Sequence, residues 1–168
     1  MSLVSIILPY YKKINFFKKT YKTILNQTYK DYELIIIYDD QDRTDYKKII
    51  KIVKKNSKVK IICNKKNLGA GLSRNIGIKH SKGSFISFID ADDLWNKNKL
   101  LKQLNFIKKN NYKFVSCNYK KELKNNSMEI IPSKQISYDM LLKNCQIGLS
   151  TVMLKKDVII KDLFPNLK

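Results

Sequence analysis

Apolar residues recur along this chain in two alternating rhythms. Short, nearly unbroken runs at Leu3–Leu8, Glu33–Tyr38, Val59–Cys63 and Ser84–Ile89 read as buried strands. Between them, apolar positions return every three or four residues. Ile14, Phe17, Tyr21, Ile24 and Leu25 mark a helix over Ile14–Tyr29, and Tyr46, Ile49, Ile50 and Val53 mark a second, with Asp42 or Thr44 at its start. The stretch Asn64–Asn75 reads as a loop leading into a short helix that ends near His80, and Gly83 breaks the chain before the fourth strand. Leu100, Leu101, Leu104 and Ile107 predict a helix after Trp95. Further on, Lys113–Lys121 and Met128–Ile131 read as strands joined at Asn125-Asn126. A short helix from Tyr138, a strand near Leu149–Leu154 and a last helical piece complete the pattern.

Strands that alternate with helices build right-handed crossovers, and so a mostly parallel sheet with helices on both faces. Pro9 cannot donate to a ladder and is expected to stop the first strand. At 168 residues the chain fits one domain, and no apolar run reaches the length of a membrane span. The formal charge is +20, but the basic residues are almost all lysine, with Arg43 and Arg74 the arginines. That balance favours a solvated lysine coat or attraction to an anionic membrane over base-reading of nucleic acid, which leans on arginine's planar fork. Cys63, Cys117 and Cys145 form no paired spacing, which argues against a zinc site or disulfide framework and fits a reducing cytoplasm.

Ligands of such sheets bind at the carboxyl ends of the strands. The unusual polar residues fall there in succession: Pro9-Tyr10-Tyr11 after the first strand, Asp39-Asp40 after the second, Asn67–Asn75 with Arg74 after the third, and Asp90-Ala91-Asp92-Asp93 after the fourth. Three carboxylates in four positions repel one another unless a cation sits among them, and an oxygen-rich group of that kind suits Mg²⁺ or Mn²⁺. The alternative is an acidic turn in which Asp93 caps the next helix. A nucleoside diphosphate would use such an edge well. Tyr10 or Tyr11 could stack on the base, a strand-end carboxylate could accept from it, and Arg74 could answer a phosphate or steady an acidic neighbour. No Walker A sequence is present.

Four segments together resemble the family-two nucleotide-sugar glycosyltransferases of the GT-A fold. They are Ile7-Leu8-Pro9-Tyr10-Tyr11, Gln27-Thr28-Tyr29 with Glu33–Asp40, Asn67-Leu68-Gly69 with Ser73-Arg74-Asn75, and Asp90–Trp95. The resemblance implies a GT-A, Rossmann-like sheet over 1–168 that lacks the family's usual C-terminal portion. Pro9, Tyr10 and Tyr11 would line the base pocket, with Asp39 accepting from the base, Asp40 beside it and Arg74 near the nucleotide and the acidic pair. Asp90 would contact the ribose, Ala91 would belong to the substrate-binding residues, and Asp92 would hold Mn²⁺ or Mg²⁺ on the diphosphate. The implied reaction moves a sugar, with inversion, from a nucleoside-diphosphate donor, UDP above all, to a glycan or lipid-linked acceptor. The implied setting is the cytoplasm, at the anionic inner membrane face. Lys12 stands where asparagine is usual, and the turn from Asp39 to Asp45 is one residue long for the family. The general base of relatives belongs to a segment beyond Lys168, so no catalytic residue is assigned. A receiver-like Mg²⁺-binding signalling domain and a basic nucleic-acid-binding module are the rival readings. The first would place its aspartate pair after the first strand, and the second rests on charge alone.

Overall fold

A computed structural model describes residues 2–122, 126–133, 137–143 and 145–165. Eight strands and five helices follow one another as β1 (Val4–Tyr10), α1 (Ile14–Leu25), β2 (Tyr32–Tyr38), α2 (Thr44–Val53), β3 (Val59–Cys63), α3 (Gly69–His80), β4 (Phe85–Phe88), α4 (Lys99–Asn110), β5 (Phe114–Val115), β6 (Tyr119–Glu122), β7 (Ser127–Ile130), α5 (Tyr138–Lys143) and β8 (Met153–Lys155). Two 3-10 turns, Leu149–Thr151 and Lys156–Val158, flank β8.

The main sheet runs β3-β2-β1-β4-β8-β5, and β1 to β4 are mutually parallel. β8 lies antiparallel to both β4 and β5, while β6 and β7 form a separate antiparallel pair. β1 is buried along its whole length, as a strand covered on both faces must be. Val4, Ile6, Leu8 and Tyr10 point to a core shared with Phe17 and Ile24 of α1, Ile49 and Val53 of α2, and Leu100 and Leu104 of α4. Ile7, Ile86 and Phe88 face the other way, onto Ile78 of α3. A Cβ on Gly77 would stand 2.4 Å from Ile7, so glycine there lets α3 lie close to the sheet.

Several boundaries differ from the sequence expectation, each for a local reason. Pro9 does not stop β1, which continues opposite Ile37 and Tyr38. β4 pairs with β1 only as far as Ile7, so at Pro9 no partner requires an N–H. α1 ends at Leu25 rather than Tyr29. Gln27 leaves the helix to bind the loop before α4: its amide donates to the carbonyl of Asn96 at 2.9 Å and accepts from the N–H of Leu100 at 3.1 Å. α3 starts at Gly69, inside the expected loop. The strand expected over Lys113–Lys121 divides into β5 and the start of β6, and Asn125 lies outside the described residues. The strand expected near Leu149–Leu154 is a 3-10 turn followed by β8. No helix among the described residues is long and apolar enough to cross a membrane.

Candidate functional site

The carboxyl ends of β1 to β4 lie side by side because the strands are parallel and in register, so their following loops share one edge of the sheet. Tyr11 is the exposed ring there, 47% accessible, with the Lys12 ammonium 5.2 Å from its centroid. Lys12 itself has a left-handed backbone, φ 49°, which sharpens the turn from β1 into α1. Tyr10 does not join this surface. Its ring is fully buried, stacks on Tyr38 at 5.3 Å and donates its hydroxyl to Asp45 at 2.7 Å. Burial first, and then Asp45, push its phenol well above the ordinary range. Of the two tyrosines expected to meet a base, Tyr10 is a core residue, and Pro9 is buried beside it.

Asp39 is buried as well, and its carboxylate organises the entry to α3. Oδ1 accepts from the N–H of Leu68 at 2.8 Å and from the amide of Asn64 at 2.7 Å, and Oδ2 accepts from the N–H of Gly69 at 2.8 Å. Asn67 closes the loop by donating to the Asp39 carbonyl at 2.9 Å. Gly69 has φ +83°, which a side chain would resist, so this carboxylate and this glycine together start the helix. Both oxygens of the carboxylate expected to accept from a base thus already accept from the protein itself. Asp40, next along, accepts from the N–H of Asp42 at 3.2 Å. Asp42 accepts in turn from Thr44 at 2.8 Å, and the Thr44 donors hold its carboxyl below the usual range.

One turn into α3, the Arg74 guanidinium meets Oδ1 of Asp90 at 2.5 Å and lies over the Phe164 ring at 5.5 Å. Its Nε is buried and has no partner among the described residues. Ala91 is buried, and its carbonyl accepts from Thr20 at 2.9 Å, which ties the acidic loop down onto α1. The neighbouring carboxylates project outward. Oδ2 of Asp92 meets the Lys13 ammonium at 2.8 Å, both side chains being well exposed. Asp93 does not cap α4, which begins six residues later with Asn98 at its N-cap. Its side chain is exposed. Partial desolvation raises its pKa, the Ser150 hydroxyl lowers it, and Asp90 and Asp92 raise it further.

Three contributors carry no signal readable in isolation. Lys13 supplies the cation on Asp92, and Ser150 arrives from a remote turn. Lys99 lies behind the loop, fully enclosed, donating to Gln103 at 2.8 Å and Ser87 at 3.1 Å with the Trp95 ring 4.1 Å away. Burial pushes its pKa down to about 7, and its titratable neighbour Cys117 opposes that only weakly. Trp95 is buried too and donates its indole N–H to the Ser150 carbonyl at 2.8 Å, so it is a packing residue and no platform.

Among the described residues no three histidine, cysteine or acidic side chains form a complete metal cage. One outward carboxylate that already accepts a cation, with Asp90 two residues away, fits a hard divalent ion held jointly with phosphate oxygens.

Comparison with known proteins follows the same lines. Residues 5–151 match the family model described as glycosyl transferase family 2. A β-1,3-glucosyltransferase of Escherichia coli, WfgD, which uses UDP-Glc and α-D-GlcNAc-diphosphoundecaprenol, is 36% identical over 97% of this chain. The chain spans 64% of that relative's length. Among solved structures, residues 1–349 of S. aureus TarS in complex with UDP-GlcNAc superpose with a TM-score of 0.73 at 22% identity, over 95% of this chain and 46% of that one. The mannosyltransferase PcManGT of Pyrobaculum calidifontis, in complex with GDP-Man and Mn²⁺, gives 0.63 at 18% identity, over 68% of this chain and 34% of its own. The sheet is therefore the GT-A fold. These likenesses lead toward sugar transfer and away from the receiver-like and nucleic-acid-binding readings.

Proposed function

This chain belongs to glycosyl transferase family 2, and on that premise we propose that it is the donor-binding part of an enzyme that moves a sugar from UDP to an acceptor hydroxyl with inversion. The observation that carries the reading is the convergence on one sheet edge of an exposed ring, Tyr11, a loop after β3 built on the Asp39 carboxylate, and the Arg74–Asp90 pair beside the outward Asp92. Tyr11 offers its face to the uracil, and Asp40 bounds the same pocket. Asp39 contributes by shape, since its three accepted bonds fix the loop that carries α3 and hence Arg74. Arg74 holds Asp90 toward the ribose, and its buried Nε has no partner among the described residues. Asp90 and Asp92 are the residues that would hold Mn²⁺ or Mg²⁺. When bound, such an ion supplies charge neutralisation to the diphosphate leaving group. Lys13, already on Asp92, and Lys12 place further positive charge where the leaving group's charge develops.

The acceptor is a lipid-linked glycan of the kind named for the E. coli relative, and the lysine coat suits approach to the anionic cytoplasmic face of a membrane. Residues 1–168 act as one nucleotide-sugar-binding domain.

Isothermal titration with UDP tests the reading. The expected result is saturable binding, strengthened by about tenfold or more when Mn²⁺ accompanies the nucleotide. Absence of binding, or binding indifferent to the ion, contradicts it.

A further inference from the structure

The acidic loop between β4 and α4 is held from outside as well as by its own backbone, at Ala91 by Thr20 and at the Asp90 carboxylate by Arg74. Two of its own backbone bonds are the Asp93 N–H to the Asp90 carbonyl at 3.1 Å and the Ile89 N–H to β1 at 3.1 Å. Support comes from the 3-10 turn Leu149–Thr151, more than fifty residues later in the chain. The Asp90 N–H donates to the Ser150 hydroxyl at 3.0 Å. A serine hydroxyl oxygen is an acceptor as well as a donor, and here it meets the backbone N–H at the first carboxylate of the loop.

The turn that presents Ser150 is itself fixed from behind. The carbonyl of Ser150 accepts from the Trp95 indole at 2.8 Å, that of Thr151 from the Gln103 amide at 2.7 Å, and that of Val152 from the Ser87 hydroxyl at 2.7 Å. Lys99 ties these donors together through Gln103 and Ser87. Three successive carbonyls held by three side chains make a rigid mount, and a rigid mount is what precise placement of a loop requires. The remote hydroxyl meets the loop at Asp90, two residues before the projecting Asp92 carboxylate, where placement of the acidic groups is decided.

We propose that Ser150 is a positioning residue for the donor site, its hydroxyl holding the Asp90 N–H so that Asp90, and with it the Asp92 carboxylate two residues on, is set toward the diphosphate. The proposal rests on the donor-site reading given above.

Titration of UDP–Mn²⁺ into the wild type, Ser150→Ala, Ser150→Thr and Ser5→Ala, with melting temperatures for each, tests it. Ser5 bonds Glu33 and the Gly83 N–H at the opposite end of the sheet, so its loss costs stability away from the site. Ser150→Ala is expected to weaken UDP–Mn²⁺ binding roughly ten- to a hundredfold, the range seen when supports behind metal ligands are removed. Ser150→Thr, which keeps the hydroxyl, is expected to restore most of the affinity, and Ser5→Ala to melt earlier yet bind as the wild type does. Binding by Ser150→Ala within about twofold of the wild type, or an equal loss in Ser5→Ala, overturns the proposal while leaving the donor-site reading intact. A wild type that takes no UDP overturns both.

Discussion

Asp92→Asn is expected to abolish the dependence of UDP binding on Mn²⁺ and to weaken binding in the ion's presence by at least about tenfold, with the melting temperature unchanged. The two halves of that expectation have separate causes. Asparagine keeps the shape of the side chain but removes the charge that a hard cation requires. Stability is spared because Lys13, the ionic partner of Asp92 among the described residues, is itself about half exposed, and exposed ion pairs contribute little. Titration with and without Mn²⁺, paired with a thermal melt, reads both. Retained Mn²⁺ enhancement would show that another residue carries the ion.

Asp39→Ala has the opposite profile, a large loss of stability with binding lost as a consequence. The substitution removes an acceptor shared by the Leu68 and Gly69 N–H groups and the Asn64 amide, in a place where water does not reach. Bonds to a charged acceptor contribute about 1.5–3 kcal/mol each and do not add fully, so a cost of about 3 kcal/mol is expected. For a chain of this size that is a fall of roughly 6–12 °C in melting temperature. Asp39→Asn, which keeps one acceptor oxygen, should fall between. If Asp39→Ala instead melts within about 2 °C of the wild type while losing UDP, the carboxylate acts on the nucleotide rather than on the α3 loop.

The contrast between these aspartates shows what the chain's order of residues could and could not convey. The strands were legible because β1 and β2 are nearly unbroken apolar runs, and a period of two or of continuous burial survives without knowledge of the partners. The edge was legible too, since parallel strands bring their ends together whatever their order. The division of labour on that edge was not. Asp39 and Asp92 are both strand-end aspartates, yet one is enclosed by a loop of asparagines and a glycine while the other faces outward. Tyr10 and Tyr11 are adjacent and identical, and only the alternation of β1, extended by one residue past Pro9, sends one ring into the core and leaves the other outside. Ser150 and Lys99 were invisible for a different reason. Their roles depend on an antiparallel strand, β8, that returns beside β4 from far along the chain. Local pattern carries no trace of such a contact.

The account stands or falls on whether one small molecule touches the ends of β1, β2 and β4 together. Amide NMR spectra recorded as UDP and trace Mn²⁺ are added measure that directly, because a bound Mn²⁺ broadens the signals of nearby nuclei. The account predicts selective loss of the Tyr11, Asp40, Arg74 and Asp92 amide signals when both are present, with Leu3, Asn56 and Gly83 at the opposite end of the sheet remaining sharp. Broadening centred elsewhere, or spread evenly over the lysine-rich surface, would contradict it.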